Sequence, residues 1–186
     1  MVLEYISNHI HLNEKDRLQI AKCLERKVFE KGEILLREGG YGKHLYFVAH
    51  GFVRSFYLKA DGTEKTHWIY GKNDFFTAWY SFFTGNPSFE ALEVIDETEI
   101  YTIPQSGYRE LYETNIPFNA FINTYYQHLI AEMDYLTKSF VHLSAKDKYL
   151  YLLEKNPEMV KNIKLGMLAS LLDISQETLS RVRKQL

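Results

Sequence analysis

The hydrophobic pattern of the chain changes its period at Pro104. From Val28 to about Ile103 apolar residues alternate or run in short β-branched and aromatic stretches; beyond Pro104 they recur three and four residues apart. A chain that spends its first part in strands and its last part in helices folds as α+β, with the helices segregated from the sheet. The strand readings are Val28/Phe29, Ile34–Leu36, His44–Val48, Phe52–Leu58, Thr63–Tyr70, Phe89–Val94 and Glu99–Ile103. Turn signals separate them: Lys31-Gly32, Gly39-Gly40-Tyr41-Gly42, His50-Gly51, Asp61-Gly62, Gly71 to Asp74 and Gly85-Asn86-Pro87. Asp61-Gly62 between two strand patterns is the strongest hairpin signal. Short strands at this spacing predict a sandwich-like jelly roll or barrel.

Ahead of the strands, residues 1–12 read as a loose entry with a short helical turn. Asn13 is placed to cap a helix carrying Glu14 and Asp16 in its first turn and Leu18, Ala21 and Leu24 on one face. Behind the strands, Pro104-Gln-Ser-Gly107 ends the β region and Tyr108–Glu113 reads as a short helix. Pro117 suits the first position of a long helix, where its missing N–H costs nothing.

Phe118, Ile122, Tyr125, Leu129, Met133, Leu136, Phe140 and Leu143 follow at near-heptad spacing. A helix of about 27 residues, roughly 40 Å long, exceeds what a small domain buries alone. A seam of Ile122, Tyr125, Leu129, Met133, Leu136 and Phe140 is therefore expected at a homodimer interface. Ser144 then caps a helix over residues 145–155, and Asn156-Pro157 marks a break. The expected domains are 1–115, 116–143 (the dimerisation helix) and 144–186.

Residues Leu165–Leu186 carry the most specific signal. Met167, Leu168, Leu171 and Leu172 form one helical face, Asp173-Ile174-Ser175 breaks it, and Ser175 can cap a second helix. On that helix Leu179, Val182 and Leu186 fall on one side; Glu177, Ser180, Arg181 and Lys184 fall on the other. Apolar residues pin the helix while the opposite face can read base edges and touch phosphates, the layout of a helix-turn-helix. An ordinary helix hairpin with a solvated face shares the pattern. The short turn, the small Ala169 at the helix approach and the Glu-Thr-Leu-Ser-Arg run favour the DNA reading.

Charge agrees in its distribution. The net charge is −2, but residues 1–143 hold 14 Lys/Arg against 19 Asp/Glu, whereas residues 144–186 hold 8 against 5. The basic excess coincides with the helix pair, as phosphate binding requires. The single cysteine, Cys23, excludes an internal disulfide and a four-thiolate cluster and reads as a small buried hydrophobe. Neither a membrane-length apolar run nor a signal-peptide pattern is found, so a soluble cytoplasmic protein is expected.

A strand-rich domain, a long helix and a terminal helix pair, in that order, resemble the Crp/Fnr family of bacterial transcription regulators. The resemblance rests on Lys31–Gly39, His44–Arg54 and Leu168–Lys184 and spans essentially the whole chain; the short length and the Glu-Thr-Leu-Ser-Arg-Val-Arg-Lys ending are similar to compact members from Bacteroidetes-type bacteria. It implies a cyclic-nucleotide-binding-like β domain, a homodimer on an inverted-repeat operator in double-stranded DNA, and contact with RNA polymerase. It also implies base reading by Glu177, Ser180 and Arg181. Arg181 can form a bidentate pair with guanine, and Glu177 can accept from cytosine N4. Ser175, Gln176 and Thr178 suit phosphate or edge contacts at the helix start, and Arg183 and Lys184 suit phosphates. With the sequence ending at Leu186, a helix-turn-helix without a full wing is expected.

The resemblance also locates a candidate effector pocket at Phe75, Thr77, Ala78, Trp79, Ser88 and Phe89. Cyclic-AMP-binding members carry a Glu for the ribose and an Arg for the phosphate. The corresponding stretches here are Asp74-Phe-Phe-Thr-Ala-Trp79 and Asn86-Pro-Ser-Phe-Glu-Ala91, with no Arg and with Glu90 placed to repel a phosphate. Cyclic AMP is not expected to bind in the usual way, and Phe75, Phe76, Trp79, Tyr80, Phe82, Phe83 and Phe89 read first as core packing. The effector is left open.

Other chemistry finds little support. His44, His50 and His67 lie in the β region, but a cupin-type metal site needs a His-x-His pair there, and the one pair, His9-Ile-His11, lies outside it. No nucleophile elbow, phosphate loop or dinucleotide fingerprint is present. No cofactor, no metal and no enzymatic activity are expected. Two alternatives stand beside the DNA-binding regulator: a ligand-binding sensor whose helical C-terminus serves protein interaction, and a cupin-like metalloenzyme.

Overall fold

A computed structural model describes residues 1–186. Its β domain is a sandwich of two four-stranded antiparallel sheets. The strands are β1 (Glu25–Phe29), β2 (Ile34–Leu36), β3 (His44–His50), β4 (Val53–Leu58), β5 (Glu64–Tyr70), β6 (Phe75–Phe76), β7 (Ala91–Val94) and β8 (Thr98–Pro104). One sheet runs β1-β8-β3-β6 and the other β2-β7-β4-β5. Alternation along β3 supplies two cores at once. Tyr46 and Val48 point between the sheets, where they meet Val53, Tyr70, Phe76, Leu92 and Ile100. Leu45 and Phe47 point outward onto helices.

Those helices are α1 (Val2–Ser7), α2 (Glu14–Cys23), α4 (Gln105–Thr114) and the start of α5 (Ile116–Ser139); α3 (Trp79–Thr84) lies between β6 and β7. The N-terminus is more committed than its sequence suggests: Val2, Ile6 and Leu12 are buried against Phe47, Phe75 and Phe118. Asn13 caps α2 in a full capping box, accepting from Asp16 N while Asp16 accepts from Asn13 N. Cys23 ends α2, half-buried against the same core. The Asp61-Gly62 turn joins β4 to β5 with Gly62 at φ 79°. Gly51, at φ 86°, admits no side chain, because a Cβ there would fall 2.8 Å from Glu97 O.

Two expectations need correction in detail. Phe75 and Phe76 form a strand of their own, too short to show a period. Pro117 is the second residue of α5, because Asn115 is the cap and accepts from Phe118 N. The helix runs 24 residues and tightens into a 3-10 turn at Phe140–His142.

The C-terminal part contains α6 (Ala145–Lys155), α7 (Pro157–Asn162), α8 (Leu165–Leu172) and α9 (Gln176–Lys184). Ser144, Asn156 and Ser175 cap α6, α7 and α9 with their side chains. These helices share a core with the β domain. Phe52, Ile69 and Ile95 pack into the cluster formed by Tyr149, Leu152, Met159, Leu168 and Leu179. Polar contacts reinforce the junction: Thr66 N donates to Ser170 Oγ at 2.9 Å, and Lys65 Nζ reaches both Ser170 O and Asp173.

Candidate nucleic-acid interface and effector cavity

The α8–α9 pair is built around one turn. Asp173 ends α8 in the left-handed conformation, φ 57° and ψ 46°, and its N–H closes back on the helix. Ser175 then starts α9: its Oγ accepts from Thr178 N at 3.1 Å. The Gln176 side chain reaches the start of α8, where a Cβ on Gly166 would lie 3.0 Å from its Oε1. Ala169, the small residue singled out by the sequence, is buried in the shared core one turn later.

Leu179 and Val182 are buried beneath α9. Ser175, Gln176, Glu177, Arg181, Arg183 and Lys184 are exposed, and Thr178 and Ser180 are half-buried. Arg181 donates to Thr178 Oγ1 at 3.3 Å, which extends its guanidinium along the helix. The free N–H at the start of α9 and the Ser175 hydroxyl hold the Glu177 carboxyl below the usual range, so it is an acceptor at neutral pH. All eight predicted contact residues thus lie on α9 or its cap, with the basic ones toward its C-terminal half.

The long helix behaves differently from the expected dimer seam. Ile122 is fully buried against the β domain, and the Tyr125 hydroxyl accepts from Phe75 N and donates to Phe75 O. Both are committed within their own protomer. Leu129, Leu136 and Phe140 turn toward a cavity behind the helix, and Met133 stands at its margin. The stripe is therefore divided: Ile122 and Tyr125 pack within the protomer, whereas Leu129, Leu136 and Phe140 are half-buried and Met133 is exposed. The solvent side of α5 carries Ile130, 66% exposed, with Val141 exposed just beyond it.

That cavity, of about 580 Å³, lies between β5, α5 and the C-terminal helices. Of the six residues proposed for an effector pocket, Trp79 alone lines it. Phe75, Thr77 and Ala78 are buried in the protein core, with Thr77 Oγ1 donating to His44 O. Ser88 is buried and bonded to Glu90 O, while Phe89 points outward beside Tyr80. The cavity instead takes Trp68 and Tyr70 from β5, Glu90 from the strand entry, and Tyr125, His128 and Glu132 from α5. A bulge in the β4–β5 pairing, with His67 as the added residue, re-aims this stretch of β5. A period-two reading does not reveal it.

The aromatic wall is divided accordingly. Tyr46, Phe76 and Tyr70 stack in a column inside the sandwich, with centroid spacings of 4.9 and 4.8 Å. Glu90 is the charged side chain of the Asn86–Ala91 stretch, two residues after Ser88. Its side chain is 7% exposed, with His67 Nδ1 3.7 Å away. Burial, with Glu132 adding to it, raises Asp74 to about 6, although its carboxylate accepts from Gly71 N. No three His, Cys, Asp or Glu side chains gather as a metal-ligand set, and no helix is long and apolar enough to cross a membrane.

Comparison with known proteins places this architecture. Residues 26–115 match the cyclic nucleotide-binding domain family. No curated protein matches the chain in sequence. Among solved structures, the c-di-GMP-responsive global regulator CLP of Xanthomonas campestris superposes with a TM-score of 0.69 at 19% identity, over 93% of this chain and 91% of that one. FixK2 of Bradyrhizobium japonicum gives 0.71 at 19% identity, over 88% and 84%. A transcriptional regulator assigned to the Crp/Fnr family from Eubacterium rectale gives 0.69 at 20%, over 94% and 83%. Residues 26–115 thus match a cyclic nucleotide-binding domain, helices follow them, and in fold the chain is similar to solved regulators, one of them assigned to the Crp/Fnr family.

Proposed function

We propose that the protein is a sequence-specific DNA-binding transcription regulator that acts as a homodimer, with α8–α9 as its helix-turn-helix and the β domain as its sensor. The observation that carries this reading is the division of α9: Leu179 and Val182 are buried beneath it while Glu177, Arg181, Arg183 and Lys184 are exposed. A helix held on one face and polar on the other suits insertion into the major groove. Arg181 and Glu177 are assigned to base edges and Arg183 and Lys184 to phosphates. Likeness in fold to solved regulators supports the assignment. No enzymatic step is assigned to any residue.

The homodimer is assigned to the open side of α5, through Ile130 and Val141, because Ile122 and Tyr125 are occupied within the protomer. Two copies present two α9 helices, which an inverted repeat would match. The sensor cavity does not accept cyclic AMP in the usual way, since Glu90 stands where a phosphate would need a cation.

Selection of the purified protein on random-sequence DNA pools at two salt concentrations tests the reading. Enrichment of an inverted repeat, with affinity falling as salt rises, is the expected result. Binding without any preferred sequence would overturn the assignment of Arg181 and Glu177 to base edges. Absence of DNA binding would favour a sensor that uses its C-terminal helices for protein contacts.

A further inference from the structure

The cavity behind α5 combines aromatic walls with buried negative charge. The Glu90 side chain is more than nine-tenths buried and its carboxylate makes no hydrogen bond, Ser88 bonding only the Glu90 backbone; His67 Nδ1 stands 3.7 Å from the carboxylate, within ion-pair distance but beyond hydrogen-bond reach. A mostly buried carboxylate with no hydrogen-bond donor is favoured by a cation beside it, and Glu90 lines a cavity with space for one. Asp74 and Glu132 add two further carboxylates to the lining, against a single Lys/Arg side chain, Lys155, whose Nζ lies 5.9 Å from the Tyr151 ring. Trp68, Tyr70, Trp79, Leu129, Leu136 and Phe140 line the cavity as well. A volume of about 580 Å³ is in the range of small-molecule sites.

We propose that this cavity binds a compact organic cation, an ammonium or quaternary ammonium group on an apolar body, with Glu90 as counter-ion and Trp68, Tyr70 and Trp79 as the aromatic wall. Aromatic rings attract a cation through their negative faces, and a desolvated site strengthens that attraction. A phosphate in the same place would meet carboxylates. Because β5, α5 and α8 all contribute lining residues (Trp68, Leu129 and Leu171 among them), an occupant touches the sensor sheet, the long helix and the helix pair together. The proposal deepens the sensor part of the proposed function and rests on it.

Tryptophan fluorescence of the full chain tests it directly, because the chain's two tryptophans, Trp68 and Trp79, both line the cavity. The probes are benzyltrimethylammonium and choline. The controls are 3,3-dimethylbutan-1-ol, which keeps the shape of choline with carbon in place of nitrogen, and cyclic AMP. The expected result is a saturable change with both cations, at least about tenfold weaker or absent with the controls. Glu90→Gln is expected to weaken cation binding by about tenfold or more without lowering the thermal midpoint. Should that variant not fold, the choline comparison on the unaltered protein carries the same decision. No saturable response to either cation, an equal response to the neutral isostere, or undiminished binding by folded Glu90→Gln overturns the proposal. DNA selection is measured separately: a selected operator without cation binding overturns the cation assignment alone, and cation binding without a selected operator overturns the regulator reading alone.

Discussion

The Nζ of Lys65 lies 3.0 Å from Oδ1 of Asp173 and also donates to Ser170 O. Lys65 belongs to the edge strand β5 of the β2-β7-β4-β5 sheet; Asp173 is the left-handed residue at the turn between α8 and α9. The turn of the helix pair is therefore fastened to the β domain. Asp173 is 78% exposed at its side chain, so the ion pair itself contributes at most about 1 kcal/mol. Its effect is positional. Lys65 holds the Asp173 carboxyl below the ordinary 3.8, so the contribution is present at neutral pH and is lost only as pH falls through that depressed value. Lys65→Met is expected to leave global unfolding nearly unchanged while amide exchange speeds up across residues 165–184 and not in β3 or β8. Unchanged exchange in the helix pair would mean that the Thr66–Ser170 bond and the shared core hold it alone.

Arg181 and Lys184 are one turn apart on α9 but are assigned different work. A bidentate Arg–guanine pair discriminates between bases, whereas a Lys–phosphate contact does not. Arg181→Ala should cost about 1–3 kcal/mol on the selected operator and relax preference at one base pair per half-site. Lys184→Ala should weaken all sequences alike and reduce the salt slope by about 1. Competition of the selected operator against single-base variants, at two salt concentrations, separates the two. If Arg181→Ala weakened every sequence equally, it would join the phosphate class.

The elements that were legible in the sequence are those whose signal is local. Asn13, Ser144 and Ser175 each bond the backbone N–H three residues on, so a cap and its helix sit side by side in the sequence. The Asp61-Gly62 hairpin and the left-handed Asp173 are local in the same sense. The cavity was not legible. Glu90, Trp68 and His128 converge through the sandwich closure and the β-bulge at His67, neither of which a periodicity encodes. The stripe along α5 is apolar as read, but within one protomer it is covered unevenly: Ile122 is buried, Leu129, Leu136 and Phe140 are half-buried and Met133 is exposed. A stripe at positions 122 to 140 records only that something covers the helix, and a second copy and the protomer's own β domain look alike to it.

Ile130 and Leu129 are adjacent in sequence and on different sides of α5. Ile130→Glu places a charge on the open side, where the homodimer interface is assigned, and should shift the protein toward monomer without lowering its thermal midpoint. Leu129→Ala removes packing from the cavity wall and should destabilise the fold by about 2 kcal/mol, the low end of the range for large-to-small changes because the site is only partly buried, with the dimer retained. Sedimentation velocity and thermal melts on the two variants distinguish the sides. A monomer produced by Leu129→Ala and not by Ile130→Glu would return the interface to the inward seam.

Asp74 supplies a pH signature of the cavity. Burial raises its carboxyl from 3.8 to about 6. The folded state therefore holds a proton that the unfolded chain releases between those values. Over that window the unfolded state binds fewer protons, so stability falls as pH rises from about 4 to about 6, and the deficit persists above it. Asp74→Asn keeps an acceptor for Gly71 N and removes the buried charge. The variant should be more stable than the parent by about 1–3 kcal/mol near pH 8 and equal to it near pH 4. Chemical denaturation at both pH values measures the difference. A gain that is the same at both would show that packing, and not the charge of Asp74, is responsible.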